Sequence, residues 1–146
     1  FFQAGEEMLR TKDGDENSYK SSDAINNIDW SVLKEGSNEY EMMRYYQELI
    51  RVRQEYAIFR TLNTAVMANT SYGEGRVAIT LDNHAGNKAL IVSNPTGEAM
   101  TYNVSGNWHM IVNGVDVMDA PEAVTGSITI PAYTAVVFVN DACLNG

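Results

Sequence analysis

The sequence has one cysteine, Cys143, so no internal disulfide can form. Nothing around that residue signals the lowered pKa that a Cys–His nucleophile needs. His84 and His109 are the only histidines, too few for an obvious zinc site. No apolar run approaches the 18 residues of a membrane span. No stretch has the basic, apolar and small-residue regions of a signal peptide, so the sequence assigns no compartment. Positive charge is scarce: 10 Lys and Arg stand against 19 Asp and Glu, for a net charge of −9. After Asn63 the basic residues are Arg76 and Lys88 alone. A chain without a basic patch is poorly suited to neutralise nucleic-acid phosphates or to sit on anionic lipid. Acidity is compatible with a neutral substrate such as a sugar polymer, without pointing to one.

What is present suits a globular chain of 146 residues, 45% hydrophobic and 20% charged. Residues 1–5 are a short apolar run closed by Gly5, with Glu6 and Glu7 directly behind. Two readings stand: a buried parallel strand reaching a functional rim, or an edge strand with solvated glutamates. Residues 8–29 are a polar stretch rich in Asp, Asn, Ser and Gly, at the length where loops are usually functional or disordered. Asp13, Asp15 and Asn17 have the D-x-D-x-N spacing that opens a calcium loop. Ser18, however, stands where the sharp turn needs Gly, and Ala24 where a bidentate Glu belongs, so an EF-hand is rejected. A looser calcium site of oxygen ligands is the residual alternative. No cofactor is required.

One long helix is expected over 38–59. Ser37 is its N-cap, with Glu39 and Glu41 in the first turn. Met42, Tyr45, Tyr46, Leu49, Ile50, Val52, Arg53 and Tyr56 recur at helical spacing on one broad face. Tyr and Met on such a face serve a core more often than a ligand cage.

After Asn63 the period falls from 3.6 to 2. Strands are expected over 75–81, 88–94, 99–104, 108–112, 126–130 and 133–140, with Asn94-Pro95-Thr96-Gly97 and Asn113-Gly114 as turns. The fold class is therefore mainly β, an antiparallel β-sandwich preceded by one strand, a long loop and one long helix. Trp108 alternates in phase with Met110 and Val112, which suits a place in the sandwich core.

At Gly5-Glu6-Glu7, Arg10-Thr11-Lys12, Asn17-Ser18-Tyr19 and Asn26-Asn27-Ile28-Asp29-Trp30 the chain resembles the type I pullulanases. These are starch-debranching enzymes of the α-amylase family, glycoside hydrolase family 13. The G-E-E element is shared across much of the α-amylase family; its combination with R-T-K, N-S-Y and N-x-I-D-W is more specific. Ser22 departs from the pattern, which has proline before Asp23. The resemblance implies that residues 1–62 are the end of a catalytic (β/α)8 barrel: its last strand, an active-site loop and its last helix. Residues 63–146 would be the C-terminal β-sandwich domain. The partners implied are an α-glucan, bound through the parent enzyme, and the missing barrel portion.

A retaining glycosidase needs two carboxyl groups about 5–5.5 Å apart. The resemblance puts the family's carboxylates after earlier barrel strands. Glu6 and Glu7 cannot replace them, because adjacent residues of a strand point to opposite faces. No catalytic residue is therefore assigned. The resemblance makes Asn17 and Tyr19 the substrate-contact candidates, and Glu7, Asp29 and Trp30 the framework of the site. Two other readings are a free-standing carbohydrate-binding sandwich and a purely structural assembly module. Self-association through residues 1–5 or through the apolar helix face is a further expectation.

Overall fold

The computed structural model describes residues 2–61 and 65–145, and within the first strand the side chains of 66–69 are outside that description. Phe1 and the expected domain boundary between 62 and 63 also lie outside it. The chain divides into two compact units, Phe1–Ile50 and Arg51–Gly146.

The first unit holds helix α1 (Asp23–Asn26) and most of helix α2 (Asn38–Glu55), with 3₁₀ turns at Glu6–Met8, Lys12–Gly14, Ser18–Lys20 and Trp30–Val32. The expected N-terminal strand is not formed over residues 2–5, where Ala4 and Gly5 already turn. A parallel strand needs neighbours for its ladder, and this unit has no strand among its described residues. The segment is held by side chains instead. The Phe2 ring meets Tyr46 edge-on, with centroids 5.3 Å apart. The Ser37 hydroxyl caps α2 by accepting the Tyr40 N–H at 3.2 Å, and itself donates to the Val32 carbonyl at 3.0 Å. On the expected apolar face Met42, Tyr45, Tyr46 and Leu49 are half-buried, whereas Ile50 and Arg53 are exposed.

Helix α2 stops at Glu55 rather than near Phe59, because Tyr56 takes extended backbone (φ −97°, ψ 106°) before a 3₁₀ turn at Ala57–Phe59. Val52, Tyr56 and Ile58 are buried in the second unit.

The rest of that unit is one antiparallel sheet of six strands: β1 (Ala65–Ser71), β2 (Val77–Asp82), β3 (Lys88–Asn94), β4 (Met100–Val112), β5 (Val117–Ile130) and β6 (Thr134–Asn140). Their spatial order is β1-β2-β3-β6-β4-β5. The segments 99–104 and 108–112, expected as two strands, form one strand with a bulge. Val104 faces Gly126 and Trp108 faces Val124, so β4 advances four residues while β5 advances two. Beyond the bulge β4 pairs with both β5 and β6; before it, with β5 alone.

The free half of this ribbon folds back over the sheet and makes the second layer of a sandwich. Met100, Val104 and Ile130 from the ribbon share one buried cluster with Ala78, Leu90, Val92, Val136 and Phe138. Trp108 and Met110 pack against its edge. The ring of Tyr102 on β4 meets Tyr72, just past β1, at 5.9 Å. The ribbon therefore reaches the far side of the sheet.

Alternation explains the layer. Leu90 pairs with Phe138, and Val92 with Val136 and Ala78, all on one face. At the end of that face Asn94 is fully buried, and its side chain ties the ends of three segments together. Its amide donates to the carbonyls of Glu98 and Pro131 at 2.8 Å and of Ile130 at 3.3 Å. Its oxygen accepts from Arg76 Nε at 3.2 Å and from the Thr96 hydroxyl at 2.8 Å.

Candidate functional site

The polar stretch of the first unit is not a slack loop. Gly5 has φ 96°, a conformation that suits glycine, and a Cβ there would come within 2.6 Å of Arg10 Cδ. The Glu7 carboxylate accepts the Gly5 N–H at 2.9 Å and fixes the turn. Arg10 then reaches across the loop. Its guanidinium donates to the carbonyls of Ala4 and Ile25, each at 3.2 Å, and of Asn26. A planar fork with several donors can hold three carbonyls from two segments at once.

A second set of ties surrounds the buried Ser18. Lys12 Nζ donates to its hydroxyl at 2.7 Å, and the Asn26 amide donates to its carbonyl at 2.7 Å and to that of Ser21 at 3.0 Å. The Asp15 carboxylate accepts from the Asn17 N–H at 3.1 Å and from the Ser21 hydroxyl. Asp29 accepts from the Ser31 N–H at 2.9 Å and from its hydroxyl at 2.6 Å, which starts the turn at Trp30–Val32. Leu9, Lys12 and Asp13 hold positive φ of 58°, 51° and 52°, a strained run for residues other than glycine.

These ties place the candidates differently. Asn17 is exposed, and its side-chain amide has no protein partner among the described residues. Tyr19 is 75% exposed, with the Lys20 ammonium 5.2 Å from its ring centre. Both therefore present free hydrogen-bonding or aromatic groups to solvent. Glu7 and Asp29 each brace backbone. Trp30 is 63% exposed, so within this chain it does not anchor the loop. Glu6 is exposed as well.

A hollow of about 270 Å³ opens between the two sides of the loop, lined among others by Arg10, Lys12, Asp13, Ile25 and Asp29. Asn17 and Tyr19 do not line it. Arg10 and Lys12 were visible only as part of a resemblance. Their ties go to backbone carbonyls and to a serine far along the loop, which no spacing rule reveals.

Both oxygens of Asp15 already accept hydrogen bonds. No group of three His, Cys, Asp or Glu that could hold a metal occurs among the described residues. Cys143 gives its thiol hydrogen to the Lys88 carbonyl at 3.5 Å, and burial pushes that thiol's pKa up, away from a nucleophile's. Among the described residues no helix is long and apolar enough to cross a membrane.

The loop carboxylates give a pH signature. The Ser21 hydroxyl first, and the Asn17 N–H second, hold the Asp15 carboxyl below its ordinary value of 3.8. The Ser31 hydroxyl and then the Ser31 N–H do the same for Asp29. A lowered pKa in the folded state means a contribution present above 3.8 and lost as pH falls through the folded value. The Asn17 and Ser31 amide resonances are expected to titrate with midpoints below 3.8, and Asp15→Asn to abolish the step at Asn17 alone. Midpoints at or above the ordinary value would show that these bonds do not form in solution.

No protein-family model matches the chain. The pullulanase of Bacillus subtilis (strain 168) is 40% identical over 65 residues, covering 44% of this chain and 9% of that protein. The solved pullulanase from Bacillus acidopullulyticus matches 94% of this chain and 18% of its own, with a TM-score of 0.76 and 27% identity. Over most of its length the chain is similar to pullulanases. The crystal structure of the type I pullulanase from Bacillus subtilis str. 168, complexed with maltose, shares the fold at a TM-score of 0.78 over 96% of this chain, at 20% identity. The pullulanase fold thus accounts for nearly all of this chain, while the chain spans 9% of the curated relative and 18% and 21% of the two solved structures.

Proposed function

We propose that this chain is part of a starch-debranching enzyme that hydrolyses α-1,6-glucosidic linkages in pullulan-type glucans. The observation that carries the proposal is the match of 94% of the chain to a solved pullulanase at 27% identity. A maltose complex of another pullulanase of the same fold supports an α-glucan as substrate.

In this reading the loop is one wall of the substrate cleft, and the sandwich is a stabilising domain. The chemistry needs a nucleophile and an acid/base on two carboxyl groups that flank one glycosidic bond. Glu7 is committed to the Gly5 N–H, and Asp29 to Ser31. They hold backbone rather than attack a sugar, which supports assigning the reacting carboxylates to the rest of the enzyme. Arg10 and Lys12 keep the two sides of the loop in register. Asn17 offers an amide to sugar hydroxyls, and Tyr19 an aromatic face to a pyranose ring.

The test is release of reducing sugar from pullulan by the whole enzyme and by this chain alone. The whole enzyme is expected to be active and the chain inactive. In the whole enzyme, Tyr19→Ala is expected to lower kcat/KM about tenfold, equivalent to ~1.4 kcal/mol. Activity from the chain alone would overturn the missing-carboxylate argument. A whole enzyme that leaves pullulan intact would overturn the debranching reading.

A further inference from the structure

The second unit has a hollow of its own, and the loop does not contribute to it. It measures about 280 Å³ and lies beside the β4 bulge, lined by Gly106, Asn107, Trp108 and His109, by 123–125 of β5, and by Asp141. We infer that it is an accessory site for one glucosyl unit of an α-glucan, an inference that rests on the glucan-hydrolase reading for its ligand class.

The bulge builds the site. Two extra residues in β4 between Val104 and Trp108 re-aim the strand, as bulges do next to binding sites. Gly106 sits at φ 107°, where a Cβ would stand 3.3 Å from Trp108 Nε1, so the indole can lie against the bulge. The indole N–H donates to the Ser105 carbonyl at 3.1 Å, which fixes the ring. On the other side His109 Nε2 and Asp141 Oδ1 are 2.6 Å apart. That bond orients the imidazole and leaves its Nδ1 and the second Asp141 oxygen free of protein partners among the described residues. The Asn107 amide and the Thr125 hydroxyl are likewise free there. An aromatic ring beside several unpaired donors and acceptors is the chemistry that recognises a sugar ring.

Other ligand classes fit less well. The Asp141 carboxylate and the net charge of −9 disfavour an anion. A metal would find only His109 and Asp141, already bonded to each other. The volume lies just under the usual range for small-molecule sites, which suits one ring rather than a long segment.

The experiment is an amide and indole NMR titration of this chain with maltotriose to about 10 mM, a range that detects millimolar affinity. Trp30→Phe assigns the two indole signals. The expected result is a saturable shift of the Trp108 indole and the Asn107 side-chain amide. Asn107→Ala and Asp141→Asn should each weaken it about fivefold or more, with thermal stability unchanged for Asn107→Ala. A Trp108 signal that does not move overturns the inference. So does a shift that Asn107→Ala and Asp141→Asn leave unchanged, which would make the His109–Asp141 pair a latch for the C-terminal turn and nothing more. An equal shift with cellotriose would overturn the α-glucan class. Failure here is separable from failure of the enzyme reading, because hydrolysis of pullulan by the whole enzyme does not require this hollow.

Discussion

Phe138→Ala is expected to lower the melting temperature of the β-sandwich by roughly 15 °C or more. Phe138 has no exposed surface, and among the described residues it is the largest side chain so enclosed. It pairs with Leu90 on β3 and with Met110 on β4, so it sits where both flanking strands and the folded ribbon meet. Truncation to Ala removes the ring and leaves a cavity that the ribbon cannot fill without shifting its bulge. Losses of this kind are about 3–5 kcal/mol. A domain of this size has about 5–15 kcal/mol in total. Thermal and urea unfolding followed by near-UV circular dichroism checks the figure. Phe138→Leu, which keeps most of the volume, should fall between the two. A Phe138→Ala variant that melts within a few degrees of the parent would mean that the ribbon does not close over the sheet in solution.

Asn94 should be the most sensitive polar position in the second unit. Its two amide hydrogens are shared among three carbonyls, and its oxygen is held by Arg76 and Thr96. Asn94→Ala takes one bond from each of those groups and empties a site with no exposed surface, although Arg76 and Thr96 still meet each other, the Glu98 carbonyl keeps the Thr96 hydroxyl and the Pro131 carbonyl keeps Thr134. Weakening several bonds around one buried polar site is expected to cost about 1–3 kcal/mol. Asn94→Asp is nearly isosteric and still should not rescue the fold. One carboxylate oxygen can keep Arg76, but the other would face the carbonyls of Glu98, Ile130 and Pro131. That arrangement favours the protonated acid, so the variant's folded pKa should be raised and its stability should fall as pH rises past the ordinary carboxylate range. Urea unfolding of Asn94→Asp at mildly acidic and neutral pH gives the answer. Parental stability at neutral pH would refute the network.

How much of this could be read beforehand varies by element, for physical reasons. β3 was legible because Ala89–Val92 is a short apolar run set between two turn segments, as suits a strand with both faces packed. The cap of α2 was legible because Ser37 and the acids behind it act locally. β1 was missed because Ala65–Ser71, with the sequence AVMANTS, lacks alternation. The continuity of β4 was hidden because Ser105-Gly106-Asn107 has the composition of a turn, and only the pairing with β5 shows it to be a bulge. The first half of β5 was missed because it lies at the sheet's edge, largely exposed, with Pro121 inside it. An edge strand tolerates proline and needs few apolar residues, so it leaves little periodic signal.

The candidate site shows the same division. Asn17 and Tyr19 stood out by residue type and by resemblance, and both present free groups to solvent. The Arg10 clamp is formed with main-chain carbonyls, and any residue has one of those. Trp30 belongs to the framework of the site only through the resemblance, and in this chain it is 63% exposed.

The strand order has a further consequence for assembly. β3 and β4 are joined only through β6, which follows both of them in the chain. Until that segment arrives there are two separate pieces, a meander of β1, β2 and β3 and a lone ribbon of β4 and β5. Neither can pair Leu90, Val92 or Met110 with its partner on β6, Phe138 or Val136. A nascent chain on the ribosome must therefore hold both pieces open, with unpaired inner edges, until residue 140 has cleared the exit tunnel. The last strand acts as a keystone, and the cooperativity of the whole domain depends on seven residues at its far end.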